Sequence, residues 1–320
     1  MKPVLSICGI SAERGDKAQG FVTVLGTKTM MPVTLINGEK QGKIMLITAG
    51  IHGSEYPGIL TAIRLAGELD PKYISGQIIL IHPVNLQAFS ARCAAVVPED
   101  GKNINRVFPG SKNGSIAEKI AYLINNSFFE IADYYMDLHG GDLHESLTPY
   151  AYFSGNCHPE VVRASRDMGA VLDLPYMVNC METVGAFGCA AMRGIPSILV
   201  ERGGNGLCLE ADVKKYILDV KRVLRKLNIL SDDHLVYADQ APIELTNVCY
   251  IEAKQKGCWL PVVTAGQKIR KGDKLGDMTD FFGQVLDTYF AEFDGVVLYQ
   301  CASLSAPQGT ELVAYGELAW

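Results

Sequence analysis

The feature that most constrains the fold of this chain is a change of pattern towards its carboxyl end. Between residues 44 and 228, short apolar runs alternate with stretches of helical periodicity, whereas from about residue 240 short strand-like runs are separated by glycines. Alternating strands and helices predict an α/β fold with a mostly parallel or mixed sheet flanked by helices. The glycine-punctuated tail predicts a smaller all-β domain, and we place the two domains at residues 1–233 and 234–320.

Individual elements follow from apolar periodicity and turn signals. The first forty residues predict β-hairpins that lead into a buried strand at Ile44, and a helix is expected to start near Pro57. Further strands are predicted at 76–84, 133–138 and 196–200, and further helices at 115–129, 160–169 and 211–228. The last of these helices is amphipathic, so one of its faces is expected to pack on the sheet.

Composition and charge exclude several classes of protein. The net charge of −6 argues against a nucleic-acid or anionic-membrane partner, because both require a basic face. No apolar run approaches the roughly 18 residues that span a bilayer, and the amino terminus predicts no signal peptide. The nine cysteines are scattered and form no C-x-x-C pair. A cytoplasmic protein without a disulfide framework is therefore expected, and a homo-oligomer stays open.

Reactive side chains follow three predicted strands at the points where these strands end. His52 and Glu55 follow the strand at Ile44, His139 follows "YYMDL", and Glu201 follows "PSILV". The carboxyl ends of parallel strands meet at one edge of a sheet, so these side chains should converge. Two histidines and a glutamate are the ligand set of a catalytic zinc site, which leaves Glu201 free to act as a general base.

A long stretch at residues 88–110 lacks a clear secondary-structure pattern. Ordered loops of this length are usually functional. This one contributes Asn105 together with Arg92 and Arg106, and the two guanidinium groups could place positive charge beside the site.

These pieces, taken in order, resemble the zinc carboxypeptidase superfamily and are most similar to its succinylglutamate desuccinylase/aspartoacylase family. The resemblance spans about residues 40–205, and the β-rich tail fits the carboxy-terminal domain of that family. The motifs that support it are His52-x-x-Glu55, Arg92, "NINRVFPG", His139 within "DLHGG", and Glu201 after an apolar strand. One departure is Asn103, which stands where family members commonly have an aspartate.

The resemblance implies a role for each site residue. One zinc ion per chain would be bound by His52, Glu55 and His139. Water on the zinc would attack the amide, with Glu201 as general base and later as proton donor to the leaving amine.

The resemblance also assigns the polar residues of the long stretch. Arg92 would polarise the scissile carbonyl, while Asn105 and Arg106 would bind the substrate carboxylate, for which a planar guanidinium is well shaped.

The implied function is zinc-dependent hydrolysis of a small, carboxylate-bearing N-acyl amino acid or related amide. A metallocarboxypeptidase that releases the last residue of a small peptide is the alternative, because both reactions use the same water attack. A third hypothesis, a non-catalytic zinc-containing scaffold, is disfavoured because Glu201 and Arg92 are both present.

For other polar residues near the strand ends, the sequence leaves both a functional and a structural interpretation open. Asp137 could orient a histidine ligand or be structural, and Arg202 could recognise an acidic substrate group or be a solvated side chain. His82 and His144 could line the pocket or belong to ordinary loops.

The tail has a resemblance of its own, to lipoyl or biotinyl barrel-sandwich domains. Its hairpin reads "TDFFG" where a modifiable lysine would stand. We therefore expect no swinging cofactor. The domain is instead expected to narrow the mouth of the active site or to mediate oligomer contacts.

Overall fold

The computed structural model describes residues 4–231, 238 and 240–318. The strands, in chain order, are β1 Leu5–Ile7, β2 Ile10–Ala12, β3 Asp16–Thr23, β4 Met30–Asn37, β5 Lys40–Ala49, β6 Ser75–Ile81, β7 Tyr134–His139, β8 Glu145–Leu147, β9 Tyr150–Ser154, β10 Tyr176–Cys180, β11 Ser197–Glu201, β12 Ile243–Leu245, β13 Val248–Glu252, β14 Gly257–Pro261, β15 Lys268–Ile269, β16 Lys274–Thr279, β17 Val285–Phe290, β18 Gly295–Cys301, β19 Ser305–Ala306 and β20 Glu311–Glu317.

Within the described residues, six α-helices accompany these strands, together with short 3-10 turns and a π-helical segment at Ile124–Phe128 that continues α3. The helices are α1 Tyr56–Glu68, α2 Leu86–Ala91, α3 Ile116–Leu123, α4 Pro159–Gly169, α5 Gly185–Met192 and α6 Glu210–Lys226. No helix in the described part of the chain is long and apolar enough to cross a membrane.

A nine-stranded sheet forms the centre of the molecule, in the order β12-β10-β9-β11-β7-β5-β6-β4-β3. The strands β11, β7, β5 and β6 run parallel to one another. Antiparallel pairs lie on both sides of this parallel block, between β11 and β9, between β4 and β6, and between β3 and β4. The sheet is therefore mixed, and together with its helices it gives the α/β fold that the sequence predicted.

Helices cover both faces of this sheet because successive residues of each central strand point to opposite faces. Met45 and Ile47 pack with α1, α4 and α6, whereas Leu46 packs with α3 and α5 on the other face. The amphipathic prediction for α6 is confirmed, since Val213, Val220 and other apolar residues of its predicted face are buried. Each such side chain contributes about 1.5–3 kcal/mol by leaving water.

The carboxy-terminal region forms an all-β unit of two antiparallel sheets. One sheet has the order β13-β20-β18-β15, with β8 beside β18, and the other has the order β17-β16-β14-β19. Their shared core contains Trp259, Leu275, Leu312 and Val313. Closure of the two sheets into a barrel stays a prediction.

Two short strands cross between the two parts of the molecule. Strand β12 pairs with β10 at the edge of the central sheet, and β8 pairs with β18 of the carboxy-terminal unit. The predicted domain boundary at Asp233 lies outside the described residues.

The sequence patterns missed several elements. Strands β9 and β10 and helix α5 were not predicted, and α2 overlaps the start of the stretch interpreted as a loop. Helix α5 reads "GAFGCAAM", which is small or apolar all round. A helix of this composition has no polar face and therefore gives no amphipathic period.

Candidate metal centre and active site

Three adjacent central strands deliver the predicted site residues to one edge of the sheet. Strands β11, β7 and β5 are neighbours, and their carboxyl ends lie together. Glu201 is the register partner of His139, and Leu138 is the register partner of Ala49, which ends β5 three residues before His52. The convergence expected from the sequence is therefore present in the fold.

The loop after β5 turns sharply enough to carry His52 and Glu55 back over the sheet edge. Gly50 has a φ of 70° in the left-handed region, where a side chain is disfavoured. At Gly53 a Cβ would lie 2.4 Å from the backbone carbon of Ala88, so only glycine allows this close approach to α2. Glu55 then immediately precedes α1 and is almost fully buried.

The three candidate ligands form a compact cluster around the Glu55 carboxylate. Its Oε1 lies 2.6 Å from His52 Nδ1 and its Oε2 lies 3.0 Å from His139 Nδ1. One ligand atom from each residue lies within 4.8 Å of the others. Glu55 Oε2 is buried without a well-formed hydrogen bond from any described residue. A buried carboxylate with one oxygen beside each of two imidazole nitrogens, one of these oxygens lacking a hydrogen bond, fits a divalent metal, and this donor set suits zinc.

Buried residues contact Nε2 and the backbone carbonyl oxygen of His139. Asp137 Oδ2 lies 3.0 Å from His139 Nε2, and Thr48 Oγ1 donates to Asp137 Oδ1 at 2.6 Å. The Tyr216 hydroxyl of α6 lies 2.6 Å from the carbonyl oxygens of both His139 and Val200, and donates its single proton to one of them at a time. The Asp137–His139 contact is at ion-pair distance without a well-formed hydrogen bond, and a carboxylate at this distance can orient a candidate metal-binding histidine.

Electrostatic effects within the cluster are strong because its members are buried. Burial opposes ionisation of Glu55, but His139 and His52 outweigh it and lower the pKa of Glu55 to about 2. Burial opposes protonation of His139, but the charges of Asp137 and Glu55 raise its pKa well above the ordinary range. A metal ion would replace this proton as the positive charge of the cluster.

Glu201 differs from the ligands in having no fixed partner. Its carboxylate makes no ion pair or hydrogen bond with any residue of the described chain. Burial raises the pKa of Glu201 well above its ordinary range; His139 opposes this shift, and Glu55 and Glu145 add to it. A carboxylate that accepts a proton readily and is not held by neighbours is suited to general base chemistry.

The predicted arginines lie on the segment that packs beside His52. Arg92 directly follows α2 and has a φ of 54°, and Arg106 ends the 3-10 turn Ile104–Arg106. Both side chains are exposed, and neither forms an ion pair within the described ranges. Their guanidinium groups are therefore available to an anionic substrate.

Asn105 has a structural contact that the sequence did not predict. Its Oδ1 accepts a hydrogen bond from the backbone N–H of Ala186, at the start of α5, at 2.8 Å. Only the Nδ2 end of this buried amide is left to contact a substrate.

Two of the remaining uncertain residues have structural contacts. Arg202 is buried and donates to Asp219 Oδ2 at 2.6 Å, which gives it a structural environment. His82 Nε2 lies 3.0 Å from Thr34 Oγ1 in a packed loop.

Two acidic or hydroxyl residues near the site were missed by sequence reasoning. Burial and the charges of Asp142 and Glu55 raise the pKa of Glu145 to about 8. Tyr150 is the antiparallel register partner of Glu201. No local pattern could identify Glu145, since its position depends on the pairing of β8 with a distant strand. Tyr150 is marked only by the alternation "YAY".

Comparisons with known proteins place this geometry in a family. The model of the succinylglutamate desuccinylase/aspartoacylase catalytic domain matches residues 41–227, more than half of the chain. The chain therefore belongs to the succinylglutamate desuccinylase/aspartoacylase family, as its motifs predicted.

Individual relatives resemble nearly the whole chain. The N-alpha-acetyl-L-2,4-diaminobutyric acid deacetylase of Halomonas elongata is 26% identical over 301 residues, which cover 90% of this chain and 86% of that protein. The product-bound structure of the Ectoine utilization protein EutE (DoeB) from Ruegeria pomeroyi has a TM-score of 0.87 and 23% identity, and covers 99% of this chain and 100% of that chain.

A succinylglutamate desuccinylase/aspartoacylase from Rhodobacter sphaeroides has a TM-score of 0.84 and 21% identity, with 95% of this chain and 96% of that chain covered. At these identities the structural likeness shows a shared fold, and function has to be argued from the site.

Proposed function

We propose that this protein is a zinc-dependent amidohydrolase that removes the acyl group from a small N-acyl amino acid. The observation that supports this most strongly is the convergence of two histidines and Glu55 beside Glu201, which lies on the neighbouring strand without a partner of its own. Family membership and the deacetylase from Halomonas elongata support the same class of reaction.

In this proposal His52, Glu55 and His139 bind one zinc ion per chain. When bound, zinc polarises a carbonyl oxygen and lowers the pKa of water to about 7. Glu201 accepts a proton from the attacking water at a carboxylate oxygen. It later donates that proton to the leaving amine nitrogen as the carbon–nitrogen bond breaks, so the products are a carboxylic acid and an amine.

Substrate positioning is assigned to the segment beside His52. Arg92 stabilises the negative charge that develops on the carbonyl oxygen, and Arg106 binds the carboxylate of the amino acid, assisted by Asn105 Nδ2. The exposure of both arginines, and their lack of ion pairs with the described residues, support these roles.

The carboxy-terminal unit, which we assign to residues 234–320, narrows the mouth of the site in this proposal. Strand β8 leaves the loop that follows His139 and pairs with β18, so the unit lies directly beside this loop. A narrowed mouth favours small amides over peptides. A cytoplasmic location is part of the same proposal.

An N-acylated diamino acid is the first substrate to test. The relative from Halomonas elongata is named for such a substrate, whose side chain ends in an ammonium group. Glu145 lies near enough to Glu55 for the charge of Glu55 to affect its pKa, and it forms no ion pair within the described chain. At a pKa of about 8 this side chain is mostly protonated near neutral pH, and an ammonium group bound beside it would stabilise its carboxylate form.

The proposed function is tested by amine release from a matched substrate panel. Zinc-loaded protein is incubated with N-acetyl, N-succinyl and N-formyl amino acids, with N-acetyl-2,4-diaminobutyrate, and with dipeptides that have a free carboxylate. Turnover of an N-acyl amino acid is expected to exceed that of every dipeptide. Preference for dipeptides would instead establish the metallocarboxypeptidase alternative, and turnover of neither class would favour the scaffold hypothesis.

A further inference from the structure

Asn103 contacts both a backbone N–H and a histidine of the candidate metal centre. Its Oδ1 accepts a hydrogen bond from the backbone N–H of Asn105 at 2.7 Å. The same oxygen lies 3.1 Å from His52 Nε2. In the sequence, Asn103 is a departure from the family pattern. The structure places its side chain against His52.

These two contacts determine which atoms of the amide and the ring act as donors. The atom that faces the Asn105 N–H has to be an acceptor, so the oxygen of the Asn103 amide is oriented towards His52. An amide oxygen accepts and cannot donate, and Nε2 of His52 must therefore provide the proton. In a neutral imidazole with a proton on Nε2, the lone pair is on Nδ1, which faces Glu55 at 2.6 Å.

The two histidines of the cluster have unequal partners. Behind His139 lies Asp137, a fully buried carboxylate, at 3.0 Å from Nε2. Behind His52, at nearly the same distance from the equivalent nitrogen, lies the neutral amide of Asn103. A carboxylate partner increases the basicity of an imidazole ligand more than an amide does, because its negative charge stabilises positive charge on the ring.

We propose that Asn103 is a positioning residue that fixes His52 as an Nδ1 ligand, and that its neutral amide makes His52 the weaker histidine ligand and lowers the zinc affinity of this protein. The proposal rests on the zinc site of the proposed function. A single change of an amide to a carboxylate at position 103 would then strengthen metal binding.

The test measures zinc affinity directly, by competition with a fluorescent chelator, on metal-depleted full-length protein. Asn103→Asp is expected to bind zinc about 10-fold tighter or more, while Asn103→Ala is expected to bind it about 10-fold weaker or more, since second-shell changes alter affinity by about 10- to 100-fold. Asp retains an oxygen acceptor for the Asn105 N–H, so its effect does not depend on loss of that turn.

Two matched variants separate the His52 contact from local folding. Asn103→Ser retains a short acceptor for the backbone N–H but shortens the side chain, and is expected to bind zinc as weakly as the alanine variant. Asp137→Asn makes the partners of the two histidines alike and is expected to weaken zinc binding by about 10-fold. Circular dichroism spectra of all variants should superimpose on the wild-type spectrum.

The tautomer can be observed independently in the zinc-loaded protein. Long-range ¹H–¹⁵N correlation spectra should show His52 with a proton on Nε2 and zinc on Nδ1. The proposal is overturned if zinc lies on Nε2, if the serine variant binds like the wild type, or if Asn103→Asp binds no tighter. A wild-type protein that binds no zinc would instead contradict the proposed function itself, which distinguishes the two failures.

Discussion

Glu201 and Arg202 are adjacent in the chain but belong to two regions that differ in how ionisable side chains are paired. Glu201 lies at the carboxyl edge of the sheet, and its carboxylate has no partner among the described residues. Arg202 points into a buried cluster behind that edge, where Asp219 accepts from both Arg202 and Arg222 at 2.6 and 2.8 Å, and Arg202 also donates to the carbonyl oxygen of Asp173. Loss of one partner from a buried ion pair destabilises the fold, whereas a carboxyl group without a partner is available to exchange protons.

The largest expected effect is on turnover, in the Glu201→Gln variant. The amide cannot accept the proton of the attacking water, so kcat is expected to fall by about 10²- to 10⁴-fold. Because Glu201 pairs with no described residue, the free energy of unfolding should be unchanged or higher. Steady-state kinetics, zinc content and urea unfolding check this together. Unchanged turnover would remove Glu201 from the mechanism.

Arg202→Met is expected to lower the free energy of unfolding and to leave kcat nearly unchanged, which is the reverse of Glu201→Gln. Removing one partner of a buried ion pair destabilises a protein by about 3–5 kcal/mol, and the lower end is expected here because Arg222 still pairs with Asp219. Urea unfolding of metal-depleted protein measures the decrease in the free energy of unfolding. Under conditions where the variant is folded, its kcat should be within a few fold of the wild type. A large rise of KM without loss of stability would show that Arg202 contacts the substrate.

The two exposed arginines of the active-site region, Arg92 and Arg106, are expected to affect different kinetic constants. In the proposed mechanism the interaction of Arg92 strengthens as charge develops on the carbonyl oxygen, so Arg92→Ala is expected to lower kcat by about 10²- to 10³-fold. Arg106 is proposed to bind a carboxylate that does not react, so Arg106→Ala is expected to raise KM by about 10-fold or more with a smaller change in kcat. Equal effects on the same constant would show that the two roles are divided wrongly.

A change in the pH dependence of stability is expected at Glu145. Its pKa of about 8 in the folded protein lies above the ordinary value of 4.5, so the folded state holds this proton to higher pH than the unfolded state does. The wild-type protein therefore loses stability as pH rises between these two values.

Glu145→Gln removes this titration. Its stability relative to the wild type should increase from about pH 5 to about pH 9, as measured by urea unfolding of metal-depleted protein. A difference between the two proteins that is independent of pH would contradict the assigned burial of this carboxylate.

The strands that carry the site could be predicted from the sequence, whereas several elements around them could not. The strands that end in His139 and Glu201 are strongly apolar and are separated by helices, so their shared edge follows from general rules of parallel sheets. Helix α5 has no polar face to give a period, and strands β9 and β10 belong to the mixed part of the sheet. These elements form through tertiary contacts that no local pattern records.

Side-chain partners were less predictable than backbone elements. The environment of Arg202 depends on Asp219, which lies on α6, and the contact of Asn103 depends on how a loop folds over His52. Asn105 was expected to bind substrate, yet its Oδ1 contacts the start of α5. Residue type suggested the chemistry of each side chain, but only the fold shows which charges are paired.

The central claim, that a zinc ion bound by His52, Glu55 and His139 supports amide hydrolysis, is tested most directly by metal removal and titration. Activity on the best N-acyl substrate of the panel should be lost on treatment with a chelator, and should return in proportion to added zinc up to one ion per chain. His139→Ala should neither retain zinc nor recover activity. Full activity in protein shown to be free of metal, or in the His139→Ala variant, would contradict the account.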